Sequence, residues 1–219
     1  MNVNPESVYG WTPLHMAAHK GHFKVFEYIA ERVSDLNVET SDRSTPLHLA
    51  ASEGHFEIVR YIVGIVSDKN PVNADGNTPL HETAKKGHLE IYKYIADQVD
   101  NKNPANDVGT TPLHEAARKG HLEIYKCIAD QVDKKNPIYK NPVNNEGTTP
   151  LHEAARKGHI GICKLILDYG VDPHVKNNAM HSALDLASTK EVRVLIRKNS
   201  TKLSKKQKLN ESKENIVLI

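Results

Sequence analysis

The chain has 219 residues, of which 38% are apolar, 5% aromatic and 26% charged, and the charges nearly cancel to +2. That length suits one or two ordinary domains, but so few aromatics would make a thin single core, and balanced charge argues against a dedicated nucleic-acid binder. No apolar run approaches the roughly 18–20 residues of a membrane span, the first ten residues lack the regions of a secretion signal, and Cys127 and Cys163 alone make no disulfide framework. An intracellular, reducing compartment is expected, cytoplasmic or nuclear, with nothing in the charge to choose between them.

In chain order, the opening Asn4-Pro5 aligns with Asn70-Pro71 and Asn103-Pro104, which makes the start read as the tail of a preceding repeat. The expectation is either a fragment of a longer array or an uncapped first repeat. Thr-Pro-Leu-His then begins at Thr12, Thr45, Thr78, Thr111 and Thr149, in steps of 33, 33, 33 and 38, and a worn copy starts at Ser182. A Gly-His pair follows each clear motif at one offset, from Gly21-His22 to Gly158-His159. Each motif predicts a short helix: threonine is a good N-cap, proline is favoured at the first helical position, and Gly87 or its equivalents can take the left-handed conformation that ends it. After each Gly-His pair, apolar residues such as Leu89, Ile91, Tyr92 and Ile95 form a stripe at helical spacing. One such pair of helices cannot bury its apolar face alone, so the core must come from stacking neighbours.

The repeated TPLHEAA…GHLE string resembles the ankyrin family over about residues 1–197. The resemblance implies an all-α fold, an α-solenoid of stacked helix–turn–helix repeats joined by β-hairpin-like loops. The expected units are 9–41, 42–74, 75–107, 108–145, 146–178 and a degenerate cap at 179–197, with a basic, disordered tail at 198–219. Helices packed ~8–10 Å apart would make six units a rod on the order of 50–60 Å long.

Three departures from the pattern matter. The 38-residue step comes from five extra residues, Lys135–Tyr139, expected to lengthen one finger and to present Ile138 and Tyr139. Val33, Val66, Val99 and Val132 stand where the family usually has glycine after the second helix. The tail carries Lys205-Lys-Gln-Lys208, similar to a short import signal, and ends in Val217-Leu-Ile219; both patterns are short and common, and a solvated tail is the expectation.

No chemistry assembles in the sequence. Ten of the 13 histidines belong to the two repeated motifs, and the resemblance implies that the first set hydrogen-bonds cap threonines and backbone, not metal. His114-Glu115 and His152-Glu153 open like a zinc-protease helix, but Arg118 and Arg156 occupy the position of the second ligand. Neither a phosphate-binding loop nor a nucleophile–base set is present, so no enzyme, no cofactor and no metal are expected.

In ankyrin proteins, partners meet the loop tips and the exposed side of the first helices. Carried over residue by residue, that surface comprises Trp11, Met16, His19, Arg43, Ser44, Leu49 and Asn77, then Glu82, Lys85, Lys86, Glu115, Arg118, Lys119, Glu153, Arg156 and Lys157. Trp11 at a loop tip reads as an aromatic anchor, against the alternative of packing over an exposed terminal repeat. The Glu–base ladder reads as self-neutralised pairs three or four residues apart, worth ~0.2–0.5 kcal/mol each. Related repeats can be hydroxylated at a loop asparagine, here Asn37, Asn70, Asn103 and either Asn136 or Asn141. The expected function is a monomeric protein-interaction module, a scaffold or adaptor, whose partner is another protein or peptide, not a membrane or nucleic acid. A small-ligand or nucleotide-sensing array is the alternative, and it would need convergent basic and aromatic groups.

Overall fold

The computed structural model describes residues 5–132 and 137–201, the side chains of Pro137 and Ile138 excepted. Its first-helix row consists of α1 (Pro13–Lys20), α3 (Pro46–Glu53), α5 (Pro79–Lys86), α7 (Pro112–Lys119), α9 (Pro150–Lys157) and the single turn α11 (Ala183–Leu186). The second-helix row is α2 (Phe23–Ala30), α4 (Phe56–Val63), α6 (Leu89–Ala96), α8 (Leu122–Gln131) and α10 (Ile160–Asp168). Residues 190–201 form a last helix, α12, which runs past the expected boundary at 197. The rest of the basic tail, with both of its short patterns, lies outside the described residues. No strand occurs among the described residues, only an isolated bridge between Lys176 and Ser182.

Each full first helix is set by its motif. Thr12, Thr45, Thr78, Thr111 and Thr149 are extended N-caps, proline follows, and the motif histidine at the third helical position closes a capping box. The terminating glycines are left-handed, from φ 72° at Gly21 to 95° at Gly87. The second helices α2, α4 and α6 end on right-handed residues, Glu31, Gly64 and Asp97. Val33, Val66, Val99 and Val132 then fold back half-buried onto the core, replacing a glycine turn with an apolar plug. Only after α10 does the expected glycine turn appear, at Gly170 with φ 81°.

Helices of each row pack on their equivalents in neighbouring repeats and on their own partner, giving two layers with one shared interior. The motif leucines Leu14, Leu47, Leu80, Leu113 and Leu151 line it from one side, and Phe26, Val59, Tyr92, Tyr125 and Cys163 from the other. A fully buried leucine or isoleucine contributes about 1.5–3 kcal/mol, so the stack holds by repetition of modest gains. The end differs from the middle: Val25 is 52% exposed, whereas its equivalents Ile58, Ile91, Ile124 and Ile162 are buried under the preceding repeat.

The five extra residues do not lengthen a finger. The finger at Asn144–Thr148 closes as its neighbours do, with the Asn144 N–H donating to the Thr148 carbonyl at 3.0 Å. The additional chain lies after α8, where Pro137–Lys140 winds into a 3₁₀ turn. The reason is local: the Tyr125 hydroxyl donates to the Lys140 carbonyl as the Tyr92 hydroxyl does to that of Lys102. The Lys140 ammonium lies 3.9 Å from the centre of the Tyr169 ring. The turn is thereby fastened to the second-helix row.

Candidate functional site: a groove between the fingers and the first helices

The loops between repeats form five-residue fingers. In the third to sixth, Asn73, Asn106, Asn144 and Asn177 each accept, through the side-chain carbonyl, the N–H of the residue four on at 2.8–3.0 Å. Thr40 does the same with its hydroxyl for Ser44. Successive tips are joined by backbone bonds, Ser41 N–H to Tyr9, Ala74 to Asp42, Asp107 to Asp75, Asn145 to Val108 and Asn178 to Glu146. Glycine fills the left-handed fourth position of most fingers, but Arg43 (φ 59°) and Met180 (φ 62°) hold it in two.

Two histidine columns fix the spacing between repeats. In the motif histidines, Nδ1 accepts the cap threonine's N–H at 3.1–3.2 Å. Nε2–H donates forward, to carbonyls such as Asn77 from His48 and Thr110 from His81, both at 3.0 Å. That pairing requires the neutral Nε2–H tautomer. Burial accordingly depresses His48, His81 and His114 to about 4, and lowers His15 and His152 as well. The Gly-His histidines donate backward: His55 to His19, His88 to Ser52, His121 to Lys85 and His159 to Arg118. Among the described residues, no group of three or more His, Cys, Asp or Glu side chains could hold a metal.

Between the fingers and the first helices lies a cavity of about 410 Å³. Its walls are Asn77, Asn106, Val108, Thr110, Asn144 and Glu146 from the fingers, and Lys85, Glu115, Arg118, Glu153 and Arg156 from α5, α7 and α9. The Asn106 amide donates to the Asn77 side chain at 2.8 Å, so the finger wall is itself cross-linked. Arg118 pairs with Glu115, Arg156 with Glu153, and Lys85 with Glu82 at 3.8 Å, each three residues apart. Desolvation raises the Glu82 carboxyl above the usual range, against the pull of Lys85.

Of the residues selected from the sequence, Asn77, Lys85, Glu115, Arg118, Glu153 and Arg156 line this groove. Glu82, Lys86, Lys119 and Lys157 stand on the same helices, and Arg43 is on the second finger. Met16, exposed, and Leu49, half-buried, occupy on α1 and α3 the place that glutamate takes later. Trp11 is not at a tip. The tip of the first finger is Val8 and Tyr9, 94% and 73% exposed, and Trp11 sits beside the N-cap, half-buried, its ring edge-on to His19 at 5.8 Å and 6.1 Å from His15. The ring lies against α1 on the face that later repeats turn to the groove, since position 11 corresponds to Asn77 and Thr110 and position 19 to Lys85, Arg118 and Arg156.

Tyr139 falls outside the groove. It lines a separate depression with Asp100, Lys102, Asn103 and Val132, since the extra turn follows a second helix; the Ile138 side chain lies outside the described residues. The finger residues Asn106, Thr110, Asn144, Val108 and Glu146 were missed, although the recurring Asn-x-x-Gly-Thr string at 106–110 and 144–148 marked them. The loop asparagines Asn70, Asn103 and Asn141 accept the second helical N–H of the next repeat, from Leu80, Leu113 and Leu151, at 2.9–3.2 Å. Asn141 is thus the structural equivalent; Asn136 lies outside the described residues. The Asn37 side-chain oxygen is buried without such a partner.

Stacked helix pairs and bonded finger tips define a repeat protein with a polar groove along one long face. The profile of the family "Ankyrin repeats (3 copies)" matches residues 1–70, 64–139, 100–177 and 132–207. The chain belongs to the ankyrin-repeat family, whose repeats are in general protein–protein interaction modules. A search of the curated proteins found no match. No helix among the described residues is long and apolar enough to cross a membrane.

Proposed function

We propose that the chain is a scaffold or adaptor that holds a partner protein along the groove, from the apolar end at Trp11, Met16 and Leu49 toward the charged floor on α5, α7 and α9. The observation that carries this reading is the groove's polarity. Finger asparagines and helix guanidinium groups line an open cavity of about 410 Å³, and of the two histidine columns that join the repeats only His114 reaches it. Aromatic and thioether side chains at one end supply the anchor such surfaces rely on. The test is affinity for a partner isolated from native cells: replacing Trp11, Met16 and Leu49 with alanine is expected to weaken it more than tenfold. Unchanged affinity in a variant that melts like the parent would refute the reading.

Asn70, Asn103 and Asn141 are also the positions proposed for asparagine hydroxylation, with Asn37 a weaker member for want of the shared hydrogen bond. Peptide mapping of protein from native cells is expected to find one added oxygen at these residues; none at any of them rejects the modification.

A further inference from the structure

The residue before each glycine that ends a first helix forms a column: Lys20, Glu53, Lys86, Lys119, Lys157. Where signs alternate, the column neutralises itself, with the Lys86 ammonium 3.7 Å from Glu53 of the preceding repeat. Beyond that point lysine follows lysine. Lys119 and Lys157 are exposed and make no ion pair with the described residues. The nearby carboxylates are already engaged: the side chains of Glu82, Glu115 and Glu153 are only 14%, 11% and 15% exposed beneath Lys85, Arg118 and Arg156. Across α5, α7 and α9, six bases therefore stand against three acids, and the acids are the covered members. The opposite edge of the groove has the other sign, through exposed Asp75, Asp107 and Glu146 at the finger tips.

Like charges stacked in one column repel, and a bound anion would relieve them. Equivalent positions on helices packed side by side lie ~8–10 Å apart. A polyproline-II segment climbs about 3.1 Å per residue with three residues per turn, so every third side chain lies on one face and passes the next lysine. We propose that the helix edge of the groove docks an extended acidic segment of a partner protein, with carboxylates three residues apart addressing Lys119 and Lys157. This rests on the groove being the partner surface. Nucleic acid fits less well: its phosphates would face Asp75, Asp107 and Glu146 across the groove, and the lining offers no Phe, Tyr or Trp face for a base.

Fluorescence anisotropy with a labelled synthetic peptide tests this, using glutamate at every third position and Gly, Ser or Thr between. The comparison probes are a peptide of the same composition with its glutamates clustered at one end, and oligo-dT. The spaced peptide is expected to bind better than either. Lys119→Glu with Lys157→Glu is expected to weaken it about tenfold, and the paired glutamine changes by less. Lys126→Glu with Lys164→Glu, the same charge change on the exposed second-helix row, is expected to leave binding as it was. Equal loss from both rows, equal binding of the two peptides, tighter binding of oligo-dT, or no binding to the parent protein would each overturn the proposal. The alanine variants at Trp11, Met16 and Leu49 alter no charge, so a failure of the groove reading itself registers separately.

Discussion

At the scale of single residues, a few positions carry conformational or ionisation costs that repetition makes visible. Arg43 holds a left-handed turn position that glycine fills at Gly76, Gly109 and Gly147. A side chain there costs roughly 1–2 kcal/mol, against about 0.5–1 kcal/mol of chain entropy lost by glycine, so Arg43→Gly is expected to stabilise the protein by about 0.5–1 kcal/mol in urea unfolding. A lower midpoint would show that the exposed Arg43–Glu39 contact outweighs the backbone term. The motif histidines link stability to pH. Folded, His48, His81 and His114 titrate at about 4; unfolded, they titrate near the ordinary histidine value of 6.5. Between those values the unfolded chain binds more protons, so their contribution, full above pH 6.5, shrinks as pH falls and is lost by about pH 4. Urea midpoints at about pH 7 and about pH 5 should fall steeply, and equal midpoints would contradict the tautomer assigned here.

At the scale of elements, the joint between repeats is where glycine and histidine meet. Gly54 has φ 86°, and a methyl group on it would lie 2.6 Å from Cε1 of His88, whose Nε2 is bonded to the Ser52 carbonyl. The ring cannot retreat without breaking that bond. Gly54→Ala is therefore expected to cost about 2–3 kcal/mol, the left-handed strain plus one inter-repeat hydrogen bond. The same change at Gly170, where a methyl group meets nothing within 4 Å, keeps only the strain term and should cost about half as much. If both substitutions cost the same in denaturant unfolding, the backward histidine column contributes nothing to stacking.

For the whole molecule, stability depends on what lies over each repeat. Val25 and Ile58 share one template position, but the first is 52% exposed and the second 1%. Ile58→Ala should cost about 2–5 kcal/mol and Val25→Ala well under ~1 kcal/mol, read from urea midpoints. Comparable losses would mean that the end repeat is covered in solution. The same geometry divides the long face: apolar Met16 and Leu49 at one end, then three glutamates under their bases, with lysines unanswered at the edge. Long repeat stacks present such surfaces because each layer adds the same few positions to one row.

Periodicity determined the helix pairs, the thin shared core and the cap threonines, and resemblance to the ankyrin family the role of the motif histidines, because these follow from contacts within a repeat or with its immediate neighbour. Position 141 could be told from 136 only in three dimensions, where one of them reaches the Leu151 N–H. The placement of the insertion also needed the fold: spacing says how many residues there are, but the Tyr125 hydroxyl holds Lys140 so that Pro137–Lys140 winds behind α8 and the finger stays short. Trp11 was legible as unusual, but its seat against His15 and His19 on α1, away from the finger tip, needed the fold. The groove belongs to the same class, because its walls come from fingers and helices of several repeats, and only stacking brings them to face one another.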